Sequence, residues 1–168
     1  SHTASTVAGN VVTATLEAPT ASHTDTISGV APHANIIAYD ACHTTPTGGT
    51  CPGTATLASI NQIVIDSMVL PNGIAAINYS ISGGSNPYYD SNELAFLAAT
   101  DAGIFVSASA GNAGPGASTV AHLSPWVDTV GASTHDRLVE NTLMDMSYDG
   151  GAGPADMVGA GFTADYGP

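Results

Sequence analysis

Ser107-Ala108-Ser109-Ala110-Gly111-Asn112-Ala113-Gly114-Pro115 is the stretch whose reading decides the fold. The run Gly103-Ile104-Phe105-Val106 leads into it, and a short β-branched and aromatic run of this kind reads as a buried strand. The side chains then shrink until the run stops at Gly-Asn-Ala-Gly-Pro. A strand that ends in small residues lets another backbone approach closely. Asn112 falls at the carboxyl end of that strand, where open α/β sheets place their ligands. A carboxamide N–H there can donate to an oxygen that becomes negative during a reaction. The alternative is a plain tight turn, in which Asn tolerates left-handed angles.

The same stretch resembles the Ser-Ala-Gly-Asn-x-Gly-Pro segment of the subtilisin-like serine peptidases. The resemblance implies that Asn112 is the oxyanion-hole donor and that Ala108, Ser109, Ala110 and Gly111 line the substrate cleft. Loss of such a donor costs about 10²–10³-fold in rate, a magnitude measured in this same family. A second strand ending matches as well. Ile77-Asn78-Tyr79-Ser80-Ile81-Ser82-Gly83-Gly84 is similar to the family strand that forms one wall of the primary specificity pocket, where substrate adds itself as a further strand. Such pairing requires a backbone edge free of bulky side chains. Ser80, Ile81, Ser82 and Gly83 are therefore the expected substrate-binding residues, against the alternative of a buried strand ending in a Gly-Gly turn.

Three more segments extend the resemblance in the right order. Ser1-His2-Thr3-Ala4-Ser5-Thr6-Val7-Ala8-Gly9-Asn10 resembles the family's His-Gly-Thr/Ser-His-Thr-Ala-Ser-Thr-x-Ala-Gly-Asn. In this register the catalytic base lies two positions before Ser1. His2 matches the second, non-catalytic His; were His2 the base itself, a Gly should follow it, and Thr3 stands there instead. Gly29-Val30-Ala31-Pro32 and Pro125-Trp126-Val127-Asp128-Thr129-Val130-Gly131-Ala132 match family segments that border core strands. The resemblance covers about residues 1–135.

The family's chemistry is acyl transfer by a Ser-His-Asp triad, in the chain order Asp, His, Ser. Asp and His are expected upstream of Ser1. No Gly-Thr-Ser-Met-Ala segment occurs to hold the nucleophile, and Asp145-Met146-Ser147-Tyr148 is not that motif. The expectation is a secreted subtilase whose triad lies outside these residues, with this chain inactive alone. Its partners would be a peptide or protein substrate and the remainder of its own polypeptide.

Composition sets outer bounds. With 168 residues and 43% hydrophobic residues, the chain can build a real core. Net charge is −13 and Arg137 is the single Lys or Arg, so no basic footprint exists for nucleic acid. No apolar run approaches a membrane span, and no signal peptide is visible before Ser1-His2-Thr3. Cys42 and Cys51 bracket a polar segment, where a disulfide would close a surface loop in an oxidising compartment. Two free thiols are the alternative, and a zinc site with His43 lacks a second ligand pair.

The secondary-structure pattern predicts an α/β fold, an incomplete parallel β-sheet flanked by helices on both faces. Val11–Leu16 reads as a strand or extended arm, Ala18–Thr24 as loop, and Ala34–Asp40 as a core strand. Thr54–Met68 reads as a helix that buries Leu57, Ile60, Val64 and Met68, capped by Thr54 or Thr56. Ile74–Ile81 is the next strand. Asp90 opens a helix over Ser91–Asp101, with Glu93 completing a capping box and Leu94, Leu97 and Ala98 facing inward. Gly103 ends it.

Trp126 reads as a core or pocket-edge residue, and His23, His33, His43, His122 and His135 as surface or packed residues. Leu138–Met146 is strand-like, and Tyr148-Asp149-Gly150-Gly151 is a turn. Residues 136–168 are expected to lead towards an inserted protease-associated domain, with a junction at Tyr166-Gly167-Pro168. The whole of 1–168 is then part of one peptidase catalytic domain.

No cofactor is called for with certainty, and calcium is the one considered. Two rivals stand beside the peptidase reading. One is a triad-less subtilase-like domain that only binds peptides. The other is an acidic calcium-binding structural module, although its carboxylates are scattered singly rather than set at ligand spacing.

Overall fold

The computed structural model describes residues 2–17, 22–46, 48–135, 140–144, 147–148, 151–153 and 155–160. They fall into two compact units, one formed by Ser1–Ile36 with Thr134–Pro168 and the other by Ile37–Ser133.

In the first unit, helix α1 (His2–Ala8) is followed by strands β1 (Val12–Glu17) and β2 (Ser22–Ile27), which pair antiparallel with Val12 opposite Ile27. Residues 22–24, read from sequence as loop, belong to β2; residues 18–21 lie outside the described set. Thr15 and Thr24 face each other in this ladder and join their hydroxyls at 2.9 Å, the cross-strand contact that favours pairing here. The end of α1 is closed by chain from Gly29 onward. Val30 N–H donates to Thr6 O at 3.0 Å and Ala31 N–H to Val7 O at 2.8 Å, which satisfies carbonyls that the helix leaves without partners. The contact requires two glycines. A Cβ on Gly29 would fall on the Gly9 amide and lie 2.7 Å from Ser5 O, and one on Gly9 would lie 2.6 Å from Ser5 O. The matched segments at 1–10 and 29–32 thus meet backbone to backbone.

In the second unit, β3 (His43–Thr45) and β4 (Gly48–Thr50) form a hairpin, and the Cys42–Cys51 disulfide ties its base. Helix α2 (Gly53–Val69) follows. Strand β5 (Ala76–Tyr79), helix α3 (Ser91–Asp101), strand β6 (Phe105–Ser109) and strand β7 (Asp128–Val130) complete the unit. The sheet order is β5-β6-β7, all parallel, with Tyr79 opposite Ala108 and Ala108 opposite Thr129. This is the α/β arrangement of a parallel sheet with helices. Alternation along the strands turns Ile77, Tyr79, Val106 and Ala108 onto one face, where they pack with Ile60 and Ile63 of α2 and Ala95, Phe96 and Ala99 of α3. The opposite face carries Phe105 and Val130, 57% and 52% exposed.

Five readings are corrected here. Ala34–Asp40 is not a strand: among the described residues no ladder pairs with it, and Ile36 and Ile37 are 52% exposed. An apolar run becomes a strand only where a partner backbone lies beside it. In α2 the buried stripe is Thr56, Ile60 and Ile63, with Leu57 and Val64 at its margin. Met68 is 75% exposed, in a last turn that lies beyond the packed stretch. Neither Thr54 nor Thr56 caps α2. Pro52 occupies the N-cap without a side-chain bond, and the Thr56 hydroxyl donates back to Gly53 O at 3.0 Å.

The α3 stripe is also displaced. Glu93, Ala95, Phe96 and Ala99 are buried, whereas Leu94 and Leu97 are 43% and 42% exposed and Ala98 is exposed. Asp90 does cap, accepting from the N–H groups of Asn92 at 2.9 Å and Glu93 at 3.2 Å. The Glu93 side chain does not return to the cap. It points into the core, and that choice rotates the whole stripe.

The first unit resumes with β8 (Glu140–Leu143), β9 (Ser147–Tyr148), β10 (Gly151–Ala152) and β11 (Met157–Ala160). β8 pairs antiparallel with β11, and β9 with β10. Strand at 140–143 agrees with the sequence reading. Asp149 and Gly150 of the expected turn lie outside the described residues, as does the expected junction at Tyr166-Gly167-Pro168.

Candidate active site

Strands β5 and β6 run parallel, so their carboxyl ends open at the same edge of the sheet. Beyond β5 the chain continues through Ser80, Ile81, Ser82, Gly83 and Gly84, and beyond β6 through Ala110, Gly111 and Asn112. The two ends touch. Gly111 has φ +81°, and a Cβ placed on it would lie 3.3 Å from the Ser82 hydroxyl oxygen. Glycine at 111 therefore allows both the turn and the close approach.

Returning chain laces the ends together. Ala110 N–H donates to Val130 O at 2.8 Å, and Ala121 N–H donates to Ala110 O at 3.0 Å. His122 N–H donates to Gly83 O at 3.1 Å, and Leu123 N–H to Gly84 O at 3.4 Å.

The expected site residues are distributed as follows. Asn112 is exposed at the tip, and among the described residues its carboxamide has no hydrogen-bond partner. Ser80, Ser82 and Gly83 are exposed, and Ile81 is half-buried. Ser109, Ala110 and Gly111 are half-buried. Ala108 is 3% exposed with its methyl group in the core, so its side chain lines no cleft. The open edge thus joins 80–83 to 109–112. Cys42 and Cys51, expected as a bridge, form it. His2 is exposed at the start of α1.

Beneath the edge lies a buried polar cluster that the sequence did not disclose. Glu93 and His122 are 0% and 2% exposed. Glu93 Oε1 lies 2.5 Å from His122 Nδ1, Ser124 donates its hydroxyl to Glu93 Oε2, and His122 Nε2 lies 2.8 Å from Ile81 O. Gly84, φ +63°, makes room: a Cβ there would fall on Glu93 Oε1 and lie 2.7 Å from His122 Nδ1. Tyr79 and Phe96 set ring edges against the imidazole, with centroids at 5.4 and 6.0 Å. Trp126, half-buried, donates its indole N–H to Glu93 O at 2.7 Å.

Glu93 escaped the sequence reading because its spacing from Asp90 fits a capping box. The remaining signal was His122 standing alone in an otherwise apolar and small-residue run.

Elsewhere in this unit the Tyr39 hydroxyl donates to Asp66 Oδ2 at 2.6 Å, and Gln62 donates to Oδ1 at 2.8 Å. Burial, reinforced by that carboxylate, pushes the Tyr39 phenol up to about 12. The same two hydrogen bonds, Tyr39's the larger, hold Asp66 below its ordinary value. Among the described residues, no three of His, Cys, Asp or Glu converge as metal ligands. No helix among them is long and apolar enough to cross a membrane.

A parallel sheet with helices, whose strands β5 and β6 end side by side in small residues, is the α/β arrangement expected of a subtilisin-like fragment. The chain belongs to the Subtilase family, whose family model matches residues 1–153. Among relatives, it is 38% identical over 137 residues to subtilisin-like protease SBT1.7 of Arabidopsis thaliana, 81% of this chain and 16% of that protein. It is 41% identical over 138 residues to SBT1.5 and 42% over 139 residues to SBT1.4, both subtilisin-like proteases of the same plant, with the same coverage. The chain therefore spans about 16% of the length of these relatives.

Proposed function

We propose that this chain is the oxyanion-donor and substrate-edge portion of a secreted serine endopeptidase that cleaves peptide bonds by Ser-His-Asp acyl transfer. One observation carries the reading: Ser82 abuts Gly111, and Asn112, the next residue, is exposed with no hydrogen-bond partner for its carboxamide among the described residues. A peptide laid along 80–83 pairs through main-chain groups, which accepts many sequences. Its scissile carbonyl then lies near Asn112. When a serine oxygen attacks that carbonyl carbon, the carbonyl oxygen gains negative charge, and the Asn112 N–H stabilises it more strongly than it stabilised the neutral carbonyl. Only such differential stabilisation speeds the reaction. The nucleophile, base and orienting Asp come from the rest of the polypeptide. The Cys42–Cys51 disulfide favours an oxidising, extracellular setting.

Labelling with a fluorophosphonate probe tests this. The full-length protein is expected to label at a serine outside residues 1–168, and the 168-residue chain alone is expected not to label. A full-length protein that binds peptides without labelling would instead support a triad-less binding domain.

A further inference from the structure

The Glu93–His122–Ser124 cluster has the residue types of a triad but not its wiring. Ser124 donates to the carboxylate rather than to the imidazole, and His122 Nε2 faces the Ile81 carbonyl. A carbonyl oxygen only accepts, so Nε2 carries a hydrogen, and a second proton lies between Nδ1 and Glu93 Oε1. The cluster thus has no free basic nitrogen and no activated hydroxyl, and it lies in the core.

Its bonds lead to the backbone of the edge. His122 holds the Ile81 carbonyl by its ring at 2.8 Å and the Gly83 carbonyl by its amide at 3.1 Å. Successive peptide groups of an extended chain face opposite sides. With the carbonyls of 81 and 83 drawn inward to His122, the peptide groups of Ser80 and Ser82 face the other way. A buried polar pair is not needed for stability, since apolar groups of similar volume often serve as well or better. Its directional bonds select one backbone register, which apolar packing does not.

We infer that Glu93 and His122 are positioning residues that clamp the carbonyls of Ile81 and Gly83 and so present Ser80 and Ser82 to an extended peptide. The inference rests on the reading of 80–83 as the peptide-binding edge. The experiment uses the full-length protein with two substrates. One is a tetrapeptide anilide, which runs along the edge. The other is a single-residue N-acyl ester, which barely touches it. The triple variant Glu93→Leu/His122→Phe/Ser124→Ala replaces the cluster with apolar groups and keeps ring packing on Tyr79 and Phe96. It is expected to fold and to lose at least about tenfold more kcat/KM on the anilide than on the ester. Glu93→Gln retains every hydrogen bond, with its amide donating to Nδ1, and is expected to stay within about threefold of wild type on both.

Equal losses on the two substrates would overturn the inference; if the triple variant does not fold, His122→Phe alone is read on the same two substrates, and equal losses there would overturn it. Amide exchange separates this outcome from a failure of the peptidase reading. Whether or not the protein labels as a serine peptidase, the backbone amides at positions 122 and 123 are expected to exchange at least about tenfold faster in the triple variant than in wild type. Unchanged exchange there shows that no clamp exists.

Discussion

Gly84 shows how much one hydrogen atom can decide. At φ +63° it has a backbone conformation that L side chains rarely adopt, and its missing methyl group is the space filled by Glu93 Oε1 and His122 Nδ1. Gly84→Ala combines backbone strain with displacement of a buried hydrogen-bonded pair. The expected loss is about 3 kcal/mol or more of unfolding free energy in denaturant melts, and an unchanged midpoint would contradict the packing described.

Tyr39 offers a spectroscopic reading of another contact. Its phenol is raised to about 12, so its neutral form is the one the fold favours. That contribution is complete below an unfolded value of 10.0 and is lost as pH rises from there through about 12. Asp66, whose value is lowered from 3.8, contributes in the opposite sense: its share is present above that pH and is lost as pH falls through its folded value. Absorbance titration of Asp66→Asn is expected to move the Tyr39 transition down from about 12, yet not fully to 10.0, because burial is the larger cause and remains. No movement would show that the carboxylate has no part in it.

Elements were legible where local chemistry alone fixes them. The span of α3 follows from the Asp90 cap and the Gly103 stop, and the span of β6 from its β-branched run ending in small residues. The two strand endings, hence the candidate slot, were readable because close approach of backbones demands Gly, Ala and Ser in sequence. Rotation of the helices was not readable in the same way. Leu94 and Leu97 have the apolarity to face inward, but a carboxylate with two buried partners across the core outweighs them, and those partners lie 29 and 31 residues away. Ala34–Asp40 failed for a related reason. Its composition suits a strand, but a ladder needs a neighbour that composition does not reveal. The meeting of 80–83 with 109–112 was therefore legible in outline, and the Glu93–His122–Ser124 cluster beneath it was not.

At the scale of the whole molecule, the sheet is covered on one face by α2 and α3, and its other face carries exposed Phe105 and Val130. Parallel sheets in α/β proteins have both faces covered. The chain spans about 16% of the length of its relatives, and a further segment of the full-length protein is expected to lie over Phe105. Phe105→Ala in the full-length protein is accordingly expected to cost about 3–5 kcal/mol, as for a buried aromatic, read from its thermal or denaturant midpoint. A cost near zero would mean that this face meets solvent in the whole protein too.

In the proposed function the joint of β5 and β6 holds a peptide with Asn112 aimed at its reacting carbonyl. Steady-state kinetics of Asn112→Ala in the full-length protein address it most directly. The kcat is expected to fall about 10²–10³-fold while KM changes little, since the carboxamide acts on charge that develops only in the transition state. An unchanged kcat in a folded, peptide-cleaving variant would contradict it.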